Sequence, residues 1–187
     1  GLARTADEAV AIAKRVGFPV VMKISAPNVI HKTDVGGVVL DVRDEDAVRA
    51  TFPRLMRPEA EGVNVQKMLR GGREVVIGFK ADPSYGPVLM FGLGGTWVEV
   101  LKDVSFALCP VSDVRARELV REIKGWPILA GVRGQAGIDE DALVDVIQRL
   151  SQLALEHPEI AELEINPLLA FQGGVCAVDM RARVRTR

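Results

Sequence analysis

Apolar residues recur along this chain with two periods, and the switches between them mark out the elements. Ala6, Val10, Ala13 and Val16 line one helical face. Thr5 and Glu8 stand at capping-box spacing ahead of it, and Gly17 and Pro19 stop it. The apolar run at 20–24 predicts a short buried strand and the run at 37–42 a second, with Asp44 capping a helix through Val48 and Leu55. From Val63 the period turns to two. Strands are predicted at 63–69, 74–80, 88–91 and 97–101, separated by turns at 71–72, 82–87 and 92–95. Ser112 caps a further helix reaching Arg121 or Lys124, and a Gly- and Pro-rich connection leads to the longest helix, 139–156. Strands at 160–165 and 174–179, joined through 168–173, close the chain. Helices alternating first with single strands and then with hairpins predict a mixed α/β (α+β) protein rather than a regular Rossmann sheet.

With 187 residues, 48% of them hydrophobic, the chain can build one large domain or two small lobes. Lys and Arg nearly balance Asp and Glu, for a net charge of −1, so no electrostatic footprint for nucleic acid exists. Neither a membrane-length apolar run nor a signal-peptide pattern is present, so no membrane partner and a cytoplasmic location are expected. Cys109 and Cys176 sit in apolar surroundings and are expected to be two buried, reduced thiols.

Candidate chemistry concentrates in 17–37, GFPVVMKISAPNVIHKTDVGG. Lys23 interrupts the apolar strand, where a desolvated ammonium must snorkel to an edge or meet an anion. His31 follows in a polar loop, and Gly36-Gly37 would let backbone N–H groups approach a phosphate. A surface histidine and an ordinary turn are the plainer readings of the same residues. Near the other end, Glu162, Glu164 and Asn166 alternate and so share one strand face. That face is either solvent-exposed or, with Asp179 on the last strand, a set of hard oxygen donors suited to Mg²⁺. Gly92-Leu93-Gly94-Gly95 reads as a tight active-site turn, with Glu99 pointing inward.

Taken together, PVVMKI, HKTDVGGV, the GGREVVIGFKADPSYGP stretch, VLMFGLGGTWVEVLKDVSF, GVRG, AELEINPLL and AVDMRAR resemble, in this order, the ATP-grasp domain of ADP-forming acyl-CoA synthetases. This is the acetate–CoA ligase (ADP-forming) family, related to the β subunit of succinyl-CoA synthetase. The resemblance implies an ATP-grasp fold of two mixed α/β lobes clamping a nucleotide. The first lobe would span 1–67 with a His/Gly loop at 25–37, the second 68–187 with the metal-binding strands. The family domain begins with a further helical stretch that is absent here, so the chain is expected to be part of a larger chain or of a hetero- or homo-oligomer.

The implied activity is acid + CoA + ATP ⇌ acyl-CoA + ADP + phosphate, with ATP/ADP and Mg²⁺ bound here and CoA and the acyl substrate handled by portions outside this chain. By the same resemblance His31 carries the phosphoryl group, and Lys23, Gly36 and Gly37 face nucleotide phosphates. Gln66, Lys67 and Met68 form the hinge against adenine, although Lys67 replaces an acidic residue often found there, and Glu74 matches a nucleotide-site glutamate. Asn166 and Asp179 would hold Mg²⁺, while Glu164 joins them or contacts the phosphohistidine. Ala107 stands where relatives often carry arginine, and Arg133 either compensates or is a surface charge. Lys67 and Ala107 favour an alternative, the catalytically silent, regulatory synthetase-like domain of a bacterial protein lysine acetyltransferase.

Overall fold

The computed structural model describes residues 1–26, 35–95 and 102–185. It divides into two compact units, Gly1–Arg70 and Gly71–Arg187.

In the first unit, strands β1 (Leu2–Ala3), β2 (Val20–Ser25), β3 (Val38–Val42) and β4 (Gly62–Lys67) form an antiparallel sheet in the order β1-β4-β2-β3. Helices α1 (Ala6–Val16) and α2 (Glu45–Leu55) cover one face. Both start where side-chain oxygens replace missing helical acceptors. Thr5 Oγ1 accepts from the Glu8 N–H at 3.2 Å and Asp44 Oδ1 from that of Ala47 at 2.8 Å. Glu8 reaches back to the Arg4 N–H instead of the Thr5 N–H that a capping box would use. Val20, Met22, Val63 and Val65 point under the helices with Val10, Ala13, Val48 and Leu55 to make the core.

The second unit is a larger antiparallel sheet of β5 (Arg73–Asp82), β6 (Gly86–Leu93), β7 (Val104–Leu108), β8 (Ile160–Phe171), β9 (Gly174–Ala177) and β10 (Met180–Val184). Its order is β10-β8-β5-β6-β7, with β9 also on β8. Helices α3 (Asp113–Arg121), α4 (Trp126–Ala130) and α5 (Glu140–Glu156) supply Leu119, Leu129, Leu143 and Ile147 to a core that includes Ile77, Leu89, Phe91 and Leu168. Buried hydroxyls tie the layers together: Ser105 Oγ donates to the Leu119 carbonyl at 2.7 Å, and Ser151 Oγ accepts from the Val111 N–H at 2.8 Å.

Several expectations change. The strand predicted at 160–165 continues to Phe171 through Pro167, because the residues after the proline go on pairing with β5 and β9. β1, β7 and β10 and the short helix α4 were not legible as elements. Two thiols in the core were expected, but Cys109 is half-buried and Cys176 exposed, since on β9 it is Val175, opposite Ala170, that turns to the core and Cys176 takes the other face. Ala107, in the place of an arginine, packs opposite Leu89 in the helix-side core, away from the open sheet face. It therefore removes no charge from that face. The expected strand at 97–101 with Glu99, and His31, lie outside the described residues. Among the described residues no helix is long and apolar enough to cross a membrane.

Candidate functional site

The first unit gathers Lys23, Gln66 and the glycine pair on or beside the sheet face away from the helices. Lys23, in the middle of β2, is 7% exposed and pairs in register with Val38 and Asn64. Its neighbours Met22 and Ile24 turn toward the other face. Val21 opposes Gln66, which puts the Gln66 side chain on the same face as Lys23. Lys67, one residue on, points to the helix side, where its Nζ lies near Gly17. The hinge candidates thus separate: Gln66 shares a face with Lys23, Lys67 does not, and Met68 turns its N–H to the Pro19 carbonyl at 3.0 Å.

Gly37 is fastened to β2 through Ile24, whose N–H donates to the Gly37 carbonyl at 2.8 Å. Gly36 has a positive φ of 64°, a conformation that glycine adopts without strain. Sequence reasoning did not find Arg57, whose guanidinium donates to the Val35 carbonyl at 2.8 Å and reaches that of Gly36 at 3.5 Å. No motif marks that residue.

The second unit gathers Glu74, Gly94-Gly95, Asn166 and Asp179. At this point β8 carries two residues, Asn166 and Pro167, against the single Val76 of β5, because Val75 opposes Leu168 while Ile77 opposes Ile165. This is a bulge, and it reverses the alternation: Ala161, Leu163 and Ile165 face the core before it, Leu168 and Ala170 after it. On the other side of β8, β9 and β10 lie end to end along one edge, and the break between them falls opposite the bulge. There the Asn166 N–H donates to the Asp179 carbonyl at 3.0 Å and the Val178 N–H to the Pro167 carbonyl at 3.1 Å. The Asn166 side chain then turns its Oδ1 to the Gly95 N–H at 3.2 Å.

Gly94 donates its N–H to the Glu74 carbonyl at 2.9 Å and lies so close to Val75 that an added Cβ would meet backbone atoms 2.6–2.9 Å away. A Cβ on Gly95 would strike Glu74 Oε2, so the Glu74 carboxylate lies directly over that glycine. The GLGG turn is therefore held against the start of β5, beside Asn166.

This donor set fits a hard divalent cation. Asn166 Oδ1 has two lone pairs and gives one to Gly95. Among the described residues no three His, Cys, Asp or Glu side chains converge on a metal. Mg²⁺ takes one or two protein oxygens and completes its shell with water and phosphate oxygens. Glu164 stands two residues before Asn166, facing Gly78 of β5 and Arg181 of β10. A groove of about 340 Å³ begins at Glu164 and runs away from Asn166, lined by Gly78, Lys80, Met90, Phe106 and Glu162 among others. Glu162 contacts Arg183 at 3.4 Å, so it serves the sheet's surface ladder. Arg133 is exposed in the loop before α5 with a positive φ of 52°.

Residues 1–184 match the family of the ATP-grasp domain. Over 188 residues the chain is 47% identical to acetate–CoA ligase (ADP-forming) I of Archaeoglobus fulgidus, with 97% of this chain and 27% of that protein covered. It is 46% identical to the β subunit of acetate–CoA ligase (ADP-forming) I of Pyrococcus furiosus, with 96% of this chain and 81% of the subunit covered. The chain thus spans about a quarter of the first relative and four-fifths of the second. Among solved structures it resembles dinucleotide-forming acetyl-coenzyme A synthetase 1 of Ca. Korarchaeum cryptofilum in complex with coenzyme A and Mg-AMPPCP, whose phosphohistidine segment points toward the nucleotide-binding site. There the TM-score is 0.86 at 39% identity, with 97% of this chain and 83% of the other covered.

Proposed function

The chain belongs to the ATP-grasp domain family, and from that premise we propose that it is the nucleotide-handling part of an ADP-forming acyl-CoA synthetase, moving a phosphoryl group between His31 and ADP. The whole reaction would be acid + CoA + ATP ⇌ acyl-CoA + ADP + phosphate, with CoA and acid bound by other portions of the enzyme, as in the relatives' named activity. The two units would be the two ATP-grasp lobes. The observation that carries the proposal is the convergence of Glu74, Gly95, Asn166 and Asp179 at the β8 bulge.

In the ATP-forming direction, an oxygen of the ADP β-phosphate attacks the phosphorus on His31. A P–O bond forms as the P–N bond breaks, and the electron pair returns to the ring nitrogen. Neutral imidazole is nucleophilic near pH 7, which makes the reverse step accessible. Such a transfer asks the protein mainly for positioning and charge neutralisation. Lys23 presents an ammonium from the centre of β2 to the phosphates, where a nearly dry environment strengthens the attraction. Gly36 and Gly37 offer backbone N–H groups close to the same strand. Gln66 and Met68 flank the base, with Lys67 contributing backbone only because its side chain faces Gly17. Asn166 and Asp179 are the residues that would hold Mg²⁺, whose charge, when bound, offsets that building on the phosphates. Glu164, one strand repeat further along, is assigned to the phosphohistidine rather than to the cation.

The test uses γ-labelled ATP with Mg²⁺. The chain has two histidines, His31 and His157. Acid-labile, base-stable label is expected on the wild type and on His157→Ala, and absent from His31→Ala. Label that persists in His31→Ala overturns the assignment of the carrier, and absence of label from all three overturns phosphoryl transfer.

A further inference from the structure

Among the described residues, β10 ends the larger sheet with an edge that no other strand uses. Its one strand partner there is β8, and all five of its residues, Met180–Val184, are exposed. The Asp179 carbonyl accepts from Asn166 and the Arg185 N–H donates to the Glu159 carbonyl at 2.8 Å, so both point inward to β8. The alternation of an antiparallel strand then turns the backbone N–H and C=O groups of Met180, Ala182 and Val184 outward. The same three residues point their side chains to the helix side of the sheet, in register with buried Ile165 and Leu163. The helices stop short of them, and Met180 is 61% and Val184 57% exposed. Arg181 and Arg183 take the other face, opposite Glu164 and Glu162.

An open edge and an uncovered apolar strip on the same residues describe a place for one more strand. A second copy of this chain is a poor occupant. Antiparallel self-pairing about Ala182 sets Arg181 against the partner's Arg183 and repeats that pair by symmetry, and like charges directly opposite destabilise a ladder. What complements the edge is an extended segment with acidic residues at alternate positions and apolar, β-branched residues between them. We propose that the β10 edge docks such an acidic strand from another polypeptide, adding it to the sheet through the outward backbone groups of Met180, Ala182 and Val184. Arg181 and Arg183 read its acidic residues, while Met180 and Val184 gain apolar cover on the helix side. This proposal is independent of the phosphoryl-transfer assignment.

The test measures binding of two labelled synthetic peptides, Val-Glu-Val-Glu-Val and Val-Lys-Val-Lys-Val, to the 187-residue chain by fluorescence anisotropy, with hydrogen exchange on the complex. The glutamate peptide is expected to bind at least about tenfold more tightly than the lysine peptide, and more weakly as salt rises. It should also slow exchange at Met180, Ala182 and Val184. Ala182→Pro removes one outward N–H without touching the β8 ladder, so the fold is expected to persist while glutamate-peptide binding falls. Three outcomes overturn the proposal: no binding by either peptide, which makes the arginines mere guards of an unused edge; equal binding of both; or protection elsewhere. A dimer in sedimentation with β10 amides protected in the absence of peptide would also overturn it, in favour of self-pairing.

Discussion

Asn166→Ala separates the two tasks assigned to that side chain. Its Oδ1 accepts the Gly95 N–H at 3.2 Å in a partly buried setting. Removing the acceptor strands that donor and is expected to cost about 1 kcal/mol. For a chain of this size that corresponds to about 2–4 °C in Tm. Asn166→Asp keeps an acceptor oxygen and should lose less than the alanine variant. The second effect concerns the cation. With Asn166 and Asp179 as its protein oxygens, losing one should weaken Mg·ADP by about tenfold or more, about 1.4 kcal/mol, while ADP binding in EDTA stays as in the wild type. Calorimetric titration of ADP with Mg²⁺ and then with EDTA, beside thermal melts, reads both quantities on the same samples. Unchanged Mg·ADP affinity together with the lower Tm would refute the ligand role and leave Asn166 as a clasp for the GLGG turn. An unchanged Tm would refute the hydrogen bond itself.

Lys23→Met should weaken Mg·ADP binding by about tenfold or more by removing a charge from the phosphates, whereas Lys67→Met, on the opposite face, should leave it unchanged; titration calorimetry checks both. Gly78→Ala places a Cβ 2.3 Å from the Leu163 carbonyl oxygen and 3.0 Å from the Glu164 Cα, backbone atoms that yield only if β5 and β8 part. It should cost about 1–3 kcal/mol in denaturant titration, while Gly173→Ala, with nothing within 4 Å of its Cβ, should be near neutral. Iodoacetamide at mildly alkaline pH should modify Cys176 first, seen by mass spectrometry. Cys176 is exposed, whereas burial pushes the Cys109 thiol up despite a hydrogen bond with Ser151, keeping thiolate scarce there.

What the sequence disclosed follows from how local each signal is. The long helices were legible because Thr5, Asp44, Ser112 and Asp139 cap them through their own side chains. The strands β1, β7 and β10 were not. β1 has two residues, too few to show a period, and β10 is a five-residue run whose alternation of Met180, Ala182 and Val184 with two arginines is too short to be told from a charged tail. The shared face of Glu162 and Glu164 could be read from alternation alone, as could the split between Gln66 and Lys67; Asn166, expected on the same face, is taken out of that row by the bulge. Asp179 could already be put forward from the last strand as an oxygen donor beside that face, but the approach of Gly95 to Asn166 could not be read. Its cause is the bulge at Asn166–Pro167. A regular strand would have kept Asn166 in the surface row with Glu164, its side chain standing beside that of a residue on β5. The extra residue leaves Asn166 and Pro167 opposite Val76 alone, and Leu168 takes over the core position. The carboxamide is thereby free to reach the GLGG turn, while its own N–H fixes Asp179 from the other side. Proline fits there because its neighbour Val178 needs only the carbonyl, and Pro167 has no N–H to leave unpaired. A residue that reads as a strand breaker in the sequence thus lets one long strand serve the core on both sides of the candidate site.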